Sequence, residues 1–339
     1  MFSRKSHEAR AHAEAPERAD DEAHCRFVSS KGLMKYCEAR QRLPNHAATE
    51  WPRRALKAHT LGGRIYVHAT ALADFVSRAL PRIRAPFVLV SGDSTPDVSG
   101  ESLGEDVVAR VLEHPQLIRW HAQNLALTHP KVRAMPLGLD YHTISLRGRP
   151  DWGPGASPRA QEELLQTIRR MAPPLAEREV LGYSNWHFRL QNGDRAEVSE
   201  AIPKQACFFE PDQLPRSESW ARNTGYFFTI SPRGVGMDCH RTWEAILLGS
   251  VPLIADLPIN GLFETLPVVV VKDWSKVTPK FLAAERERIL GETFDFAPVF
   301  LETWRRRLFG EVEVAPMRMT FQAFMDLTPA EIDAALTGE

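Results

Sequence analysis

The strongest constraint on the fold is a rhythm in the second half of the chain. Short apolar runs alternate with helical segments in the order "EVLGYSNWHF", "DRAEVSEAIP", "QACFFEP", "PRSESWARNTG", "YFFTISP", "CHRTWEAILLGS", "VPLIAD", "PVVVVKD". The runs are close to continuously apolar, as expected of strands buried on both faces. Strands alternating with helices call for a parallel sheet sandwiched between helices, so this half is expected to be a doubly wound α/β domain.

The first half repeats the rhythm less regularly. "GRIYVHA", "APFVLVSGD", "LIRWHAQN" and "KVRAMPLGLD" read as strands, and "TALADFVSRALPRI" and "LGEDVVARVLEH" as helices. Residues 145–177 break the pattern. "SLRGRPDWGPGASPR" reads as a linker, followed by a helix from Pro158 with Ser157 as its N-cap. Residues 24–60 carry short mixed segments with no readable period. The tail from about residue 275 reads as helical, with a capping box at Thr328, Pro329 and Glu331. The expected division is a disordered segment 1–23, a Rossmann-like domain 24–150, a linker 151–177, a second Rossmann-like domain 178–310 and a helical tail 311–339.

Composition narrows the function classes. A chain of 339 residues accommodates two domains with proper cores. Its 42 Lys+Arg against 43 Asp+Glu give a net charge of -1, without the basic footprint of a nucleic-acid binder. Cys25, Cys37, Cys207 and Cys239 form no CxxC pair and complete no zinc pattern, so reduced thiols are expected. No apolar run reaches ~18 residues and the N-terminus has no signal-peptide core, which points to a cytoplasmic protein. "TWRRRLF", with Trp304 and Leu308 beside Arg305, Arg306 and Arg307, offers a peripheral membrane contact, though a core-facing helix with solvated arginines is the favoured reading.

The stretch "TISPRGVGMDCHRTWEAILLGS" carries the chemistry. Ligands of parallel α/β domains bind beyond the carboxyl ends of strands, where loops meet helix starts. Gly234 and Gly236 let loop amides approach a ligand. Asp238 is a good N-cap for a helix beginning near Cys239. Arg241 then stands in the first turn, where a cation opposes the helix dipole unless an anion binds there. Glu244 lies on the same helix face among apolar neighbours, placed to accept ribose hydroxyls. The competing reading is an ordinary i,i+3 ion pair between Arg241 and Glu244. No GK[ST] and no GxGxxG is present.

These residues, with "FVLVSGDSTPDV", "LIRWHAQNLALTHPKVRAMPLGLDYHT" and "VLGYSNWHF", resemble the exostosin-like glycosyltransferases, nearest the branch containing ribitol xylosyltransferase. The resemblance covers roughly residues 64–272. It implies a GT-B-like fold, two Rossmann-like doubly wound domains facing across a cleft. It implies a nucleotide-sugar donor on the C-terminal domain, an acceptor glycan or polyol phosphate on the N-terminal one, and inversion by direct displacement. Arg233, Arg241 and Glu244 take the roles of diphosphate and ribose contacts. The nucleotide-sugar is a co-substrate, and neither a metal nor another cofactor is expected, since helix amides and arginines can stabilise a leaving diphosphate.

The acceptor hydroxyl needs a base from the first domain. Asp93, ending "FVLVSGD", is the first candidate, with a turn-forming role as its competitor. His68, ending "IYVHA", is the second, against a structural role. Asp140 and His142 line the same cleft or cap a turn, and His121 and Asn124 lie near it in structural roles. Asn185, Arg195 and His240 complete the donor set, Arg195 and His240 against readings as surface residues. Two other classes compete: a non-catalytic nucleotide- or sugar-binding module of the same fold, and a metal-dependent hydrolase, which lacks any HExxH signature.

Overall fold

The computed structural model describes residues 21–40, 49–51, 63–93, 95–146, 152–310 and 314–337. The expected disorder of residues 1–20 and the linker stretch 147–151 lie outside the described residues. The end of the supposed disordered segment is ordered: Asp21 caps the turn Glu22–His24 by accepting the Ala23 N–H at 3.2 Å.

The first sheet contains β1 (Gly63–His68), β2 (Phe87–Gly92), β3 (Leu117–Ala122) and β4 (Val132–Ala134), all parallel and in chain order. Each strand is added on the same side of the last. Right-handed crossovers then put their helices on one face. There Ile65, Leu89 and Trp120 cluster with Phe75 of the helix Leu72–Arg78 and Val111 of the helix Glu105–Leu112. Double winding was expected for this half, but among the described residues the strand order does not reverse and no switch point occurs.

Tyr66, Val90 and Met135 belong instead to a cluster shared with Phe27, Leu33, Met34 and Cys37 of the N-terminal segment. That segment, unreadable in the sequence, is a strap. Val28 donates to Val299 O at 2.9 Å and accepts from Leu139 N at 2.8 Å, and Ala39 accepts from Tyr66 N at 2.8 Å. The buried Glu162 carboxylate accepts the N–H groups of Arg26 (2.9 Å) and Phe27 (3.2 Å) and the Tyr141 hydroxyl (3.0 Å).

The second sheet is the doubly wound one. β5 (Glu179–Ser184), β6 (Cys207–Phe209), β7 (Tyr226–Ser231), β8 (Val251–Ala255) and β9 (Val269–Val271) are parallel in the order β6-β5-β7-β8-β9. The order reverses between β5 and β7, so that pair marks the switch point. All six residues of β7 are buried, which accounts for its unbroken apolar run.

The linker helix Pro158–Met171 starts as read, with Ser157 Oγ accepting Ala160 N–H at 3.2 Å. The tail adds a small antiparallel pair, β10 (Thr293–Asp295) and β11 (Arg318–Thr320). Its helix Leu301–Phe309 buries Leu301, Trp304 and Leu308, while Glu302 pairs with Arg305 and Arg306, so the helix faces the core. Thr328 and Glu331 form the expected reciprocal cap. All four cysteines are free, and among the described residues no helix is long and apolar enough to cross a membrane.

Candidate functional site

The two sheets meet at their carboxyl ends. Loops after β2, β3 and β4 touch the loop that follows β7. Asp97 pairs with Arg233 at 2.9 Å, Asn124 Oδ1 accepts Asp238 N–H at 2.9 Å, and Leu137 N–H donates to Asp238 Oδ2 at 2.7 Å. Strand-end loops from both halves thus converge where ligands of such sheets bind.

The helix after β7, His240–Leu247, begins at Cys239, which has extended backbone and no side-chain cap. The expected N-cap, Asp238, is corrected. Its buried carboxylate accepts the Trp243 indole N–H at 2.9 Å and the Leu137 N–H, and burial pushes its pKa up to about 6. The helix N–H groups are left uncapped by side chains, which suits an anion better than a capped start would. The glycines also differ from expectation. A side chain at Gly236 would come within 2.8 Å of Asn124 Nδ2, so this glycine serves the approach of the two halves. Gly234 packs against Cys239 and Arg195.

Arg241 turns back over the end of β7. Its Nη2 donates to Pro232 O at 2.8 Å and its Nε to Ser231 Oγ at 3.2 Å, with the Trp186 ring 5.9 Å away. Arg195, first residue of the helix Arg195–Ala201, reaches the same corner from the β5 side. Its Nη1 donates to Trp186 O at 3.4 Å, and its buried Nε meets no acceptor among the described residues. Burial, and then the neighbouring Arg241 charge, pulls Arg195 down to about 10; burial also lowers Arg241. Among the described residues no carboxylate lies within 4.0 Å of either guanidinium. Two like charges thus share a corner at a helix start, with Cys239 and Glu244 acting on Arg241 as the nearest negative partners, an arrangement whose electrostatics favour an added anion.

Glu244 does not pair with Arg241. It faces Arg216, whose Nε is 3.8 Å away. Arg216 opens the helix Arg216–Asn223 after β6 and also donates to Asp140 O at 2.5 Å and Gln161 Oε1 at 3.0 Å. Asn185, just past β5, donates to Ser219 Oγ at 2.5 Å. His240 Nδ1 donates to Gly138 O at 2.6 Å, leaving Nε2 as its acceptor when neutral.

On the opposite side stands a cluster of acids and bases. Asp93, with left-handed φ of 57°, is 3.5 Å from Lys31 Nζ and 3.9 Å from His142 Nε2. His142 Nδ1 is 3.2 Å from Asp140 and 3.9 Å from Glu22, and its ring lies 6.3 Å from that of His240. Burial raises Asp140, but His142, His240 and Arg216 outweigh it and hold the carboxyl well below its usual range. Burial pushes Glu22 up to about 8 against the Ser29 hydrogen bond and Lys31. His68 is buried at the end of β1, with Nδ1 2.6 Å from Thr70 Oγ1. His121 is buried in β3, and burial holds it neutral down to about pH 3.

Arg216, Lys31 and Glu22 were not singled out from sequence. Arg216 had a signal, since it too opens a helix after a strand of the doubly wound sheet. Lys31 and Glu22 had none, because long-range contacts place them. Among the described residues no cluster of three metal-ligating side chains occurs. A scan against models of known protein families finds no match, and a search of curated proteins finds none either.

Proposed function

We propose that the chain is a glycosyltransferase that moves a sugar from a nucleotide-sugar to a hydroxyl acceptor, the two sheets acting as the halves of a GT-B-like cleft. The carrying observation is the convergence of Arg195 and Arg241, without a carboxylate partner, at the β5/β7 switch point. The donor diphosphate binds there, over the start of the His240–Leu247 helix, and Glu244 takes the ribose side.

In the transfer, the acceptor oxygen bonds to the anomeric carbon as the bond to the diphosphate breaks. The electron pair goes to the diphosphate oxygen, stabilised by the two guanidiniums and helix N–H groups. The acceptor proton goes to Asp93, the carboxylate at the facing strand end, with His142 beside it. The acceptor class is a glycan or a polyol phosphate.

A second reading, a binding module without turnover, has one observation in its favour. The Arg233–Asp97 pair and the Asp238–Asn124 bond tie the two halves together and oppose the opening and closing that turnover calls for.

Thermal shift with UDP, GDP and CDP, followed by hydrolysis of their sugars with and without chelator, tests both. A nucleotide at 100 times its Kd stabilises by about 2.7 kcal/mol. Turnover that survives chelator supports transfer, and binding without turnover supports the module. A melting temperature unmoved by any nucleoside diphosphate sinks both.

A further inference from the structure

Arg216 is the first residue of the helix Arg216–Asn223, a place where a cation opposes the helix dipole. Its side chain is nonetheless almost enclosed, at 9% exposure. The guanidinium carbon lies 4.7 Å from the Trp152 ring and 5.4 Å from the Trp220 ring, so two indoles hold it by cation–π contact. Nη1 donates to Asp140 O at 2.5 Å and to Gln161 Oε1 at 3.0 Å, and the Arg216 main-chain N–H donates to Trp152 O at 3.0 Å. The first half, the linker helix and its own helix therefore fix this guanidinium together.

Its remaining edge faces Glu244. Nε is 3.8 Å from Glu244 Oε1, close enough for attraction and too far for a hydrogen bond. Among the described residues no other cation lies within 4.0 Å of Glu244, since Arg241 turns away to Pro232 O and Ser231 Oγ. No hydrogen bond among the described residues reaches either Glu244 oxygen. The side chain is 17% exposed and neither oxygen is sealed from solvent. An ionised carboxylate accepts up to about four hydrogen bonds. Glu244 thus has a partner for its charge and all of its acceptor capacity open, which a tight bidentate pair with arginine would have filled.

Such a carboxylate suits a ligand that brings hydroxyl donors and no charge of its own to that spot. We infer that Arg216 is a positioning residue of the donor site: it fixes the Glu244 carboxylate where its oxygens accept both ribose hydroxyls, and the site thereby selects ribonucleotides over 2′-deoxyribonucleotides. The inference rests on the transferase reading, which puts Glu244 on the ribose side. A site built to hydrogen-bond a hydroxyl rejects the analogue that lacks it. That rejection depends on the carboxylate being held, because a mobile one turns to the remaining hydroxyl or to water.

Calorimetry on the full chain tests this with UDP, GDP and CDP, each against its 2′-deoxy counterpart, in the unmodified chain and in Arg216→Met and Arg216→Lys. The unmodified chain should prefer the ribonucleotide it binds by at least about tenfold, the worth of one hydrogen bond to a charged group. Arg216→Met, without charge or donors, should reduce that preference to less than about threefold, mainly by weakening the ribonucleotide. Arg216→Lys keeps the charge but loses the planar fork, and should leave an intermediate preference; it also keeps the test open if the Met variant does not fold. The two affinities are measured on the same folded sample, so a merely structural loss, common to both ligands, cancels in their ratio. An unmodified chain that binds both forms equally, or a preference unchanged in either folded variant, overturns the inference while diphosphate binding leaves the transferase reading standing. Binding of no nucleoside diphosphate at all overturns both.

Discussion

The main-chain N–H of Asp238 donates to Asn124 Oδ1 at 2.9 Å, binding the loop after β7 to the loop after β3 where the sheets meet. The Asp238 carboxylate works in the same direction, one oxygen taking Leu137 N–H from the first sheet and the other the Trp243 indole from its own helix. Both oxygens are acceptors. Asp238→Asn puts an amide NH₂ where one acceptor stood, so a buried donor faces a donor. The expected loss is about 1–3 kcal/mol. It should appear as a lower urea midpoint with unchanged slope. An unmoved midpoint would show that the loop does not depend on this carboxylate.

The junction also predicts a pH dependence. Glu22 lies among Ser29, Lys31, Asp93 and Asp140, and burial raises its pKa from 4.5 to about 8. The folded state therefore holds this proton more tightly than the unfolded chain. The stability it contributes is complete below pH 4.5 and is lost as pH rises through about 8. His121 acts in the opposite sense, but only below its ordinary value of 6.5, and Asp238 has finished titrating above about 6. Between about pH 6.5 and 8, stability should fall by roughly 1 kcal/mol per pH unit. Glu22→Gln should flatten that slope. A flat wild-type profile in this window would refute the assignment.

Removing Arg195 separates binding from folding. Among the described residues it sits beside a second guanidinium with no carboxylate in ion-pair range, and its side chain makes one hydrogen bond there, to Trp186 O, long at 3.4 Å. Arg195→Ala should leave stability unchanged or slightly higher, because a like-charge contact is relieved. Nucleoside diphosphate affinity should fall about 10- to 100-fold, the worth of a charge-assisted hydrogen bond. Calorimetric affinity equal to that of the unmodified chain would remove Arg195 from the site.

How much of this was legible follows from how local each signal is. β7 could be read because all six of its residues are buried, leaving an unbroken apolar run, and Arg241 because a cation at a helix start is anomalous on its own. Asp238 was misread as a cap because its true partner, the Trp243 indole, lies one turn along the helix and competes for the same carboxylate. The strap 25–39 was opaque for a different reason. Its ends are held by Val299, Leu139 and Tyr66, residues remote in sequence, and the helix Ser30–Lys35 between them is too short to show a period. The unreversed order of the described strands of the first sheet was hidden too, since strand order leaves no trace in the alternation of strands and helices.

The contact between Gly236 and Asn124 permits the sharpest test of whether the two halves are coupled. A Cβ on Gly236 would lie 2.8 Å from Asn124 Nδ2 and 3.1 Å from its Oδ1. Asn124 cannot swing away without giving up the Asp238 N–H, and its backbone is already held at φ 49°. Gly236→Ala should therefore cost about 1–3 kcal/mol as an overpacking change. Asn124→Gly removes the obstructing side chain and suits the left-handed backbone, but it leaves the buried Asp238 N–H without its acceptor. In that background the added methyl has room, and Gly236→Ala should cost only a few tenths of a kcal/mol. The double-mutant cycle should then show an interaction of about 0.5–3 kcal/mol between residues that belong to different sheets. Additive single costs in urea denaturation would mean that the side chains do not press on one another and that the two loops meet more loosely than the hydrogen bonds imply.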